Sequence, residues 1–81
     1  MTNDNSLQRT FGVVLRHARI AAGLSQENLA LQSNLDRTYI SLLERGLRQP
    51  TLASLFVLAH SLQVAPHILV RQVEEGLQRS P

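Results

Sequence analysis

Residues 25–46 read SQENLALQSNLDRTYISLLERG, and the way this stretch divides decides the fold. Apolar residues recur at helical steps, with Leu29 and Ala30 in the first half and Ile40 and Leu43 in the second. Ser25 has N-cap chemistry, a short side chain whose oxygen accepts a freed backbone N–H of the first turn. Asp36 offers the same to a following helix. Two helices are therefore expected, Gln26 to about Ser33 and Arg37 to Arg45. Asn34 tolerates the left-handed backbone that ends the first, and Gly46 closes the second.

Working outward, the flanking segments carry the same period. Leu7, Phe11, Leu15, Ala18 and Ala22 fall on one face of a first helix that Gly23 stops. Pro50-Thr51 starts a fourth, with Leu52, Leu55, Leu58, Ala59 and Leu62 as its core stripe. Pro66 suits the first turn of a fifth, carrying Ile68, Leu69, Val70 and Val73 up to Gly76, with LQRSP as a frayed tail. One tyrosine, two phenylalanines and few β-branched runs argue against a sheet. The expected architecture is all-α: one five-helix domain over residues 1–81, its core spanning about 7–76. The short turn at Asn34-Leu35-Asp36 forces helices two and three to cross steeply, a helix-turn-helix over residues 25–46. The third helix is then pushed outward.

Composition narrows the function. With 81 residues the chain buries only about 60–70% of its unfolded surface, so packing or a partner must support it. Cysteine is absent, which removes disulfides and cysteine-based zinc sites. His17, His60 and His67 lack metal-ligand spacing, so no metal or cofactor is expected. No serine sits in a nucleophile motif, which argues against an enzyme. The polar opening MTNDNSLQRT has no apolar secretion run, and no segment reaches membrane-spanning length. A cytoplasmic setting is expected.

Charge is uneven. Arg9, Arg16, Arg19, Arg37, Arg45 and Arg48 stand against Glu27, Asp36 and Glu44, six minus three or +3 over residues 9–48. Residues 49–81 balance to zero, and all eight basic residues are arginine. Arginine's planar fork suits phosphates and guanine edges, although a solvated positive surface has the same composition. On a wheel of the third helix, Ile40 and Leu43 define the inner side. Thr38, Ser41, Leu42 and Arg45 point away, with Arg37 and Tyr39 on the flanks. A major groove admits one such helix.

The run from Gly23 to Pro50 resembles the helix-turn-helix family of lambda-type phage repressors and xenobiotic-response-element regulators. The marks are Ser25-Gln26, Leu29-Ala30, Ile40-Ser41, Glu44, Gly46 and Arg48-x-Pro50. LDRTYIS followed by ERG and R-x-P is most similar to the controller proteins of restriction–modification systems. The resemblance extends to about residues 10–75 and implies a lambda-repressor-like DNA-binding domain. Asn34 stands where the family usually has glycine. Leu42 stands where many relatives have a polar base-reading residue, and either meets a thymine methyl or leaves that position less selective.

Each candidate has a role and a rival. The resemblance places Gln26 against the DNA backbone, and pairs Glu44 with Arg19 in a structural salt bridge. Arg37 suits a bidentate guanine contact, against a surface pairing with Glu27 or Asp36. Thr38 suits a base edge or phosphate, against plain exposure. Tyr39 either gives its hydroxyl to a phosphate or packs its ring on the rim of the domain. Ser41 faces DNA or bonds its own helix carbonyl. Arg45 and Arg48 grip phosphate or reach into a groove, with Arg9 and Arg16 as further backbone charge.

One recognition helix reads few base pairs, so a two-fold dimer is expected. Phe56 and Val57 lie off the core stripe of the fourth helix, where relatives often place charged residues. With His60, Ile68, Leu69 and Val73 they form the expected dimer surface within residues 51–76. The leading function is a sequence-specific double-stranded DNA-binding transcriptional regulator acting as a homodimer on an operator. The alternative is an antitoxin-type interaction protein whose fourth and fifth helices hold a toxin.

Overall fold

A computed structural model describes residues 4–79. The described chain forms α1 (Asp4–Ala21), α2 (Gln26–Ser33), α3 (Arg37–Glu44), α4 (Leu52–Leu62) and α5 (Pro66–Arg79), with no strand among the described residues. Five helices in these places agree with the sequence expectation, because their ends are set by local chemistry. Ser25 Oγ accepts the Asn28 N–H at 3.0 Å to start α2. Asn34 ends it in the left-handed region at φ 57°, and the Leu35 N–H returns to the Ala30 carbonyl at 3.0 Å. Asp36 Oδ1 accepts the Thr38 N–H at 3.1 Å to start α3.

The expected end of α3 moves by one residue. Arg45 is the C-cap rather than a helical residue, because the chain turns left-handed at Gly46. The Leu47 N–H then bonds back to the Leu42 carbonyl at 2.9 Å, which closes the helix end. Thr51 and Ser54 cap α4 reciprocally, each side chain accepting the other's backbone N–H at 3.0 Å.

Phe11, Val14 and Leu15 of α1 join Leu29, Ala30, Ile40, Leu43, Leu55, Leu58, Ala59, Leu62, Leu69 and Val73 in one core. The buried α1 face is therefore Phe11–Val14–Leu15. Ala22 lies past the helix end and is exposed, contrary to the expected stripe. Leu52 also departs from its stripe, at 71% exposed, because the apolar row of α4 outruns the core at the first helical residue.

Two glycines govern how α1 packs. A Cβ on Gly12 would sit 2.6 Å from the carbonyl oxygens of Leu43 and Glu44, so only glycine lets α1 meet the end of α3 this closely. Gly76 does not stop α5, as its composition suggests it should. It sits inside the helix where a Cβ would come within 2.8 Å of Thr10 Cγ2, so it serves close approach to α1. The expected frayed tail is accordingly helical through Arg79, and its last two residues, Ser80 and Pro81, lie outside the described residues.

Candidate nucleic-acid interface

The site is organised around α3, whose inner side is anchored by Ile40 and Leu43, both fully buried. Burial of these two side chains contributes about 1.5–3 kcal/mol each. Arg37 and Thr38 are exposed at the start of the helix, and Arg45 and Arg48 are exposed just past its end. Ser41 and Leu42 are half-buried. Leu42 is thus less outward than the wheel suggests, which limits what it offers to a base edge.

Behind this face lies a cluster of ionic hydrogen bonds. Arg19 Nε donates to Glu44 Oε2 at 2.6 Å and Arg19 Nη2 donates to Glu44 Oε1 at 3.0 Å, a bidentate pair. The two side chains are only 12% and 3% exposed. Arg19 Nη1 donates in addition to the Leu24 carbonyl at 2.9 Å. The hydrogen bonds that Arg19 donates to Glu44, aided by the carboxylate's charge, raise the pKa of the guanidinium against the desolvation that burial imposes. Gln26 Nε2 completes the cluster with a 3.0 Å bond to Glu44 Oε1. Gln26 is therefore more than an ordinary first-turn residue. Its second Nε2 proton remains available to an external acceptor.

Arg37 is not taken up by Glu27 or Asp36. Among the described residues the only ion pairs are Arg19–Glu44 and the exposed Arg71–Glu75. Arg9, Arg16, Arg37, Arg45 and Arg48 consequently keep their guanidinium groups outside any ion pair among the described residues. Tyr39 takes an inward course. Its ring packs on the core and its hydroxyl lies 3.0 Å from Ser54 Oγ on α4. Ser54 was not a site residue by sequence reasoning. Thr51-x-x-Ser54 carries the spacing of a helix cap, but nothing in that spacing points to Tyr39.

The expected dimer surface divides. Phe56 at 53% and Val57 at 40% exposure are presented outward on α4, with His60 exposed beside them. Ile68 is half-buried. Leu69 and Val73 are removed from the surface, because they form the inward i, i+4 face of α5 and lie in the protein's own core. Val70, 51% exposed, is the α5 residue presented outward in their place.

Two short helices joined by a tight turn through left-handed Asn34, the second with arginines exposed at its ends, define a helix-turn-helix module. Residues 15–69 match the helix-turn-helix family, and the chain belongs to it. It is 37% identical over 67 residues to the control protein C.BamHI of Bacillus amyloliquefaciens, covering 82% of this chain and 83% of that one. The restriction–modification controller protein C.AhdI from Aeromonas hydrophila has a similar structure, with TM-score 0.75 and 45% identity over 76% of this chain and 94% of that chain. The controller protein C.Esp1396I, solved as a tetramer with its natural 35 base-pair operator, gives a TM-score of 0.81 at 34% identity, over 90% of this chain and 96% of that one.

Proposed function

We propose that this protein is a sequence-specific, double-stranded DNA-binding transcriptional regulator that acts as a homodimer on an operator. The observation that carries the reading is α3 itself: its inner side is fully buried, while Arg37 at its start and Arg45 and Arg48 just past its end stay outside any ion pair among the described residues. Residues 25–46 form the reading unit. Arg37 and Thr38 reach base edges, and Ser41 and Leu42 line the approach. Arg45 and Arg48 hold phosphates, and Gln26 offers its free N–H to the backbone. The relatives' description as control proteins supports this, as does the operator complex of C.Esp1396I. The antitoxin alternative draws no support from these relatives.

Phe56, Val57, His60 and Val70 form the dimerisation surface, with Ile68 at its edge. No single described helix is long and apolar enough to cross a membrane, which suits a cytoplasmic regulator. The role is binding rather than catalysis.

Selection of bound sequences from a random duplex pool tests the reading and returns the half-site spacing. The expected product is a two-fold symmetric motif, bound more weakly as salt rises, with a log–log slope of about −0.9 for each phosphate neutralised. A flat salt response removes the DNA-binding function.

A further inference from the structure

The Tyr39–Ser54 contact has more partners than a serine hydroxyl can bond. Ser54 Oγ lies 3.0 Å from Tyr39 Oη, from the Thr51 backbone nitrogen, from Thr51 Oγ1 and from the Thr51 carbonyl oxygen. A hydroxyl has one proton to give and two lone pairs to accept with. The Thr51 N–H occupies one lone pair, because a backbone amide only donates. Among the arrangements of the remaining protons, two keep Tyr39 bonded to Ser54 and set its own proton in opposite senses.

In the first, the Tyr39 hydroxyl donates to Ser54, and Ser54 donates to the Thr51 carbonyl. Tyr39 then presents only lone pairs to the outside and repels an anion. In the second, the Thr51 hydroxyl donates to Ser54, Ser54 donates to Tyr39, and the Tyr39 proton is released outward. The Thr51 carbonyl loses nothing essential, since it still accepts the Leu55 N–H at 2.9 Å. Thr51 Oγ1 also keeps the Ser54 N–H in both arrangements. The exchange rotates three hydroxyls, breaks no covalent bond and leaves every backbone donor of the cap satisfied.

We propose that Ser54, a buried side chain, is a positioning residue that turns Tyr39 into a phosphate donor, with the Thr51 hydroxyl supplying the compensating proton. The inference rests on the DNA-binding reading of α3. It makes the cap of α4 part of the nucleic-acid interface. It also resolves the choice between a packing role and a phosphate role for Tyr39: the ring packs, and the hydroxyl is oriented from behind.

The test uses the full chain and a duplex recovered from the random pool. Tyr39→Phe, Ser54→Ala and the double variant are titrated with that duplex, at a temperature where circular dichroism shows each to be folded. Each single change is expected to weaken binding by about threefold to tenfold, the worth of one hydrogen bond. The double variant should bind no more weakly than Tyr39→Phe alone, because Ser54 acts only through the Tyr39 hydroxyl. Losses that multiply overturn the proposal, and so does a Ser54→Ala protein that binds like the parent. A second arm does not depend on Ser54→Ala folding. Single phosphates of the duplex are replaced by neutral methylphosphonates, and one position should weaken the parent protein while leaving Tyr39→Phe unaffected. No such position also overturns the proposal. If the parent binds no duplex, the DNA-binding reading itself fails, which separates the two failures.

Discussion

The α2–α3 unit and the α4–α5 unit are built alike, each a pair of short helices joined through a left-handed residue, Asn34 in one and Gln63 in the other. They present opposite chemistry to solvent. The first shows exposed arginines around a buried Ile40–Leu43 anchor, with its one ion pair turned inward to Arg19. The second shows Phe56, Val57 and Val70, around a core of Leu55, Leu58, Leu62, Leu69 and Val73. On the proposed reading, the two helix pairs serve two kinds of recognition. Arginines at the surface suit a charged, hydrated partner, while exposed aromatic and branched side chains suit a second apolar surface.

The largest effect expected within this contrast is at Glu44. Glu44→Ala strands the buried Arg19 guanidinium and removes the partner of Gln26, so denaturant unfolding should show a loss of about 3–5 kcal/mol. A loss inside ordinary surface variation would show that the cluster does not anchor the first unit. Next is Phe56→Glu, which should cost about 2–4 kcal/mol of association, the range of an interface hot spot. Analytical ultracentrifugation should find monomers, and circular dichroism should find unchanged helical content. A variant that still dimerises would move the interface away from α4.

Arg37→Ala should leave stability alone and cost about 1–3 kcal/mol of operator binding, with relaxed preference at a single base position in repeated selection. Uniform weakening across all sequences would reassign Arg37 to phosphate. The smallest effect is at Asn34. Asn34→Gly relieves a left-handed non-glycine residue and should change the unfolding free energy by less than about 1 kcal/mol, without altering DNA affinity. A large change in affinity would mean that the turn, and not only α3, touches the ligand.

The same contrast explains what could be read from sequence. Ser25, Asn34 and Asp36 act on backbone groups within a few residues, so the ends of α2 and α3 were visible in composition and order. The inward face of α3 followed from its period for the same reason. The second unit was harder. Leu52 continues the apolar period yet is exposed, while Leu69 and Val73 were expected outside and are core. An apolar residue on a helix does not reveal which of two apolar neighbours covers it, the parent fold or a partner. Tyr39 and Ser54 lie fifteen residues apart and join two helices, so no local pattern announces their contact. Gly12 was equally silent, since its meaning lies in the α3 carbonyls that approach it.

That glycine has a mechanical consequence. With the Leu43 and Glu44 carbonyls seated against α1, and Glu44 gripped from two sides, α3 is clamped at its rear. Its front end, joined to α2 by the short turn and capped by Asp36, carries Arg37 and Thr38, with Tyr39 against Ser54 as a strut a short way along. On the proposed reading, a beam held in this way resists sideways deflection, so a groove can tug on its front end without rotating the helix. In that role little ordering is left to lose on contact, and a mismatched sequence meets a stiff reader.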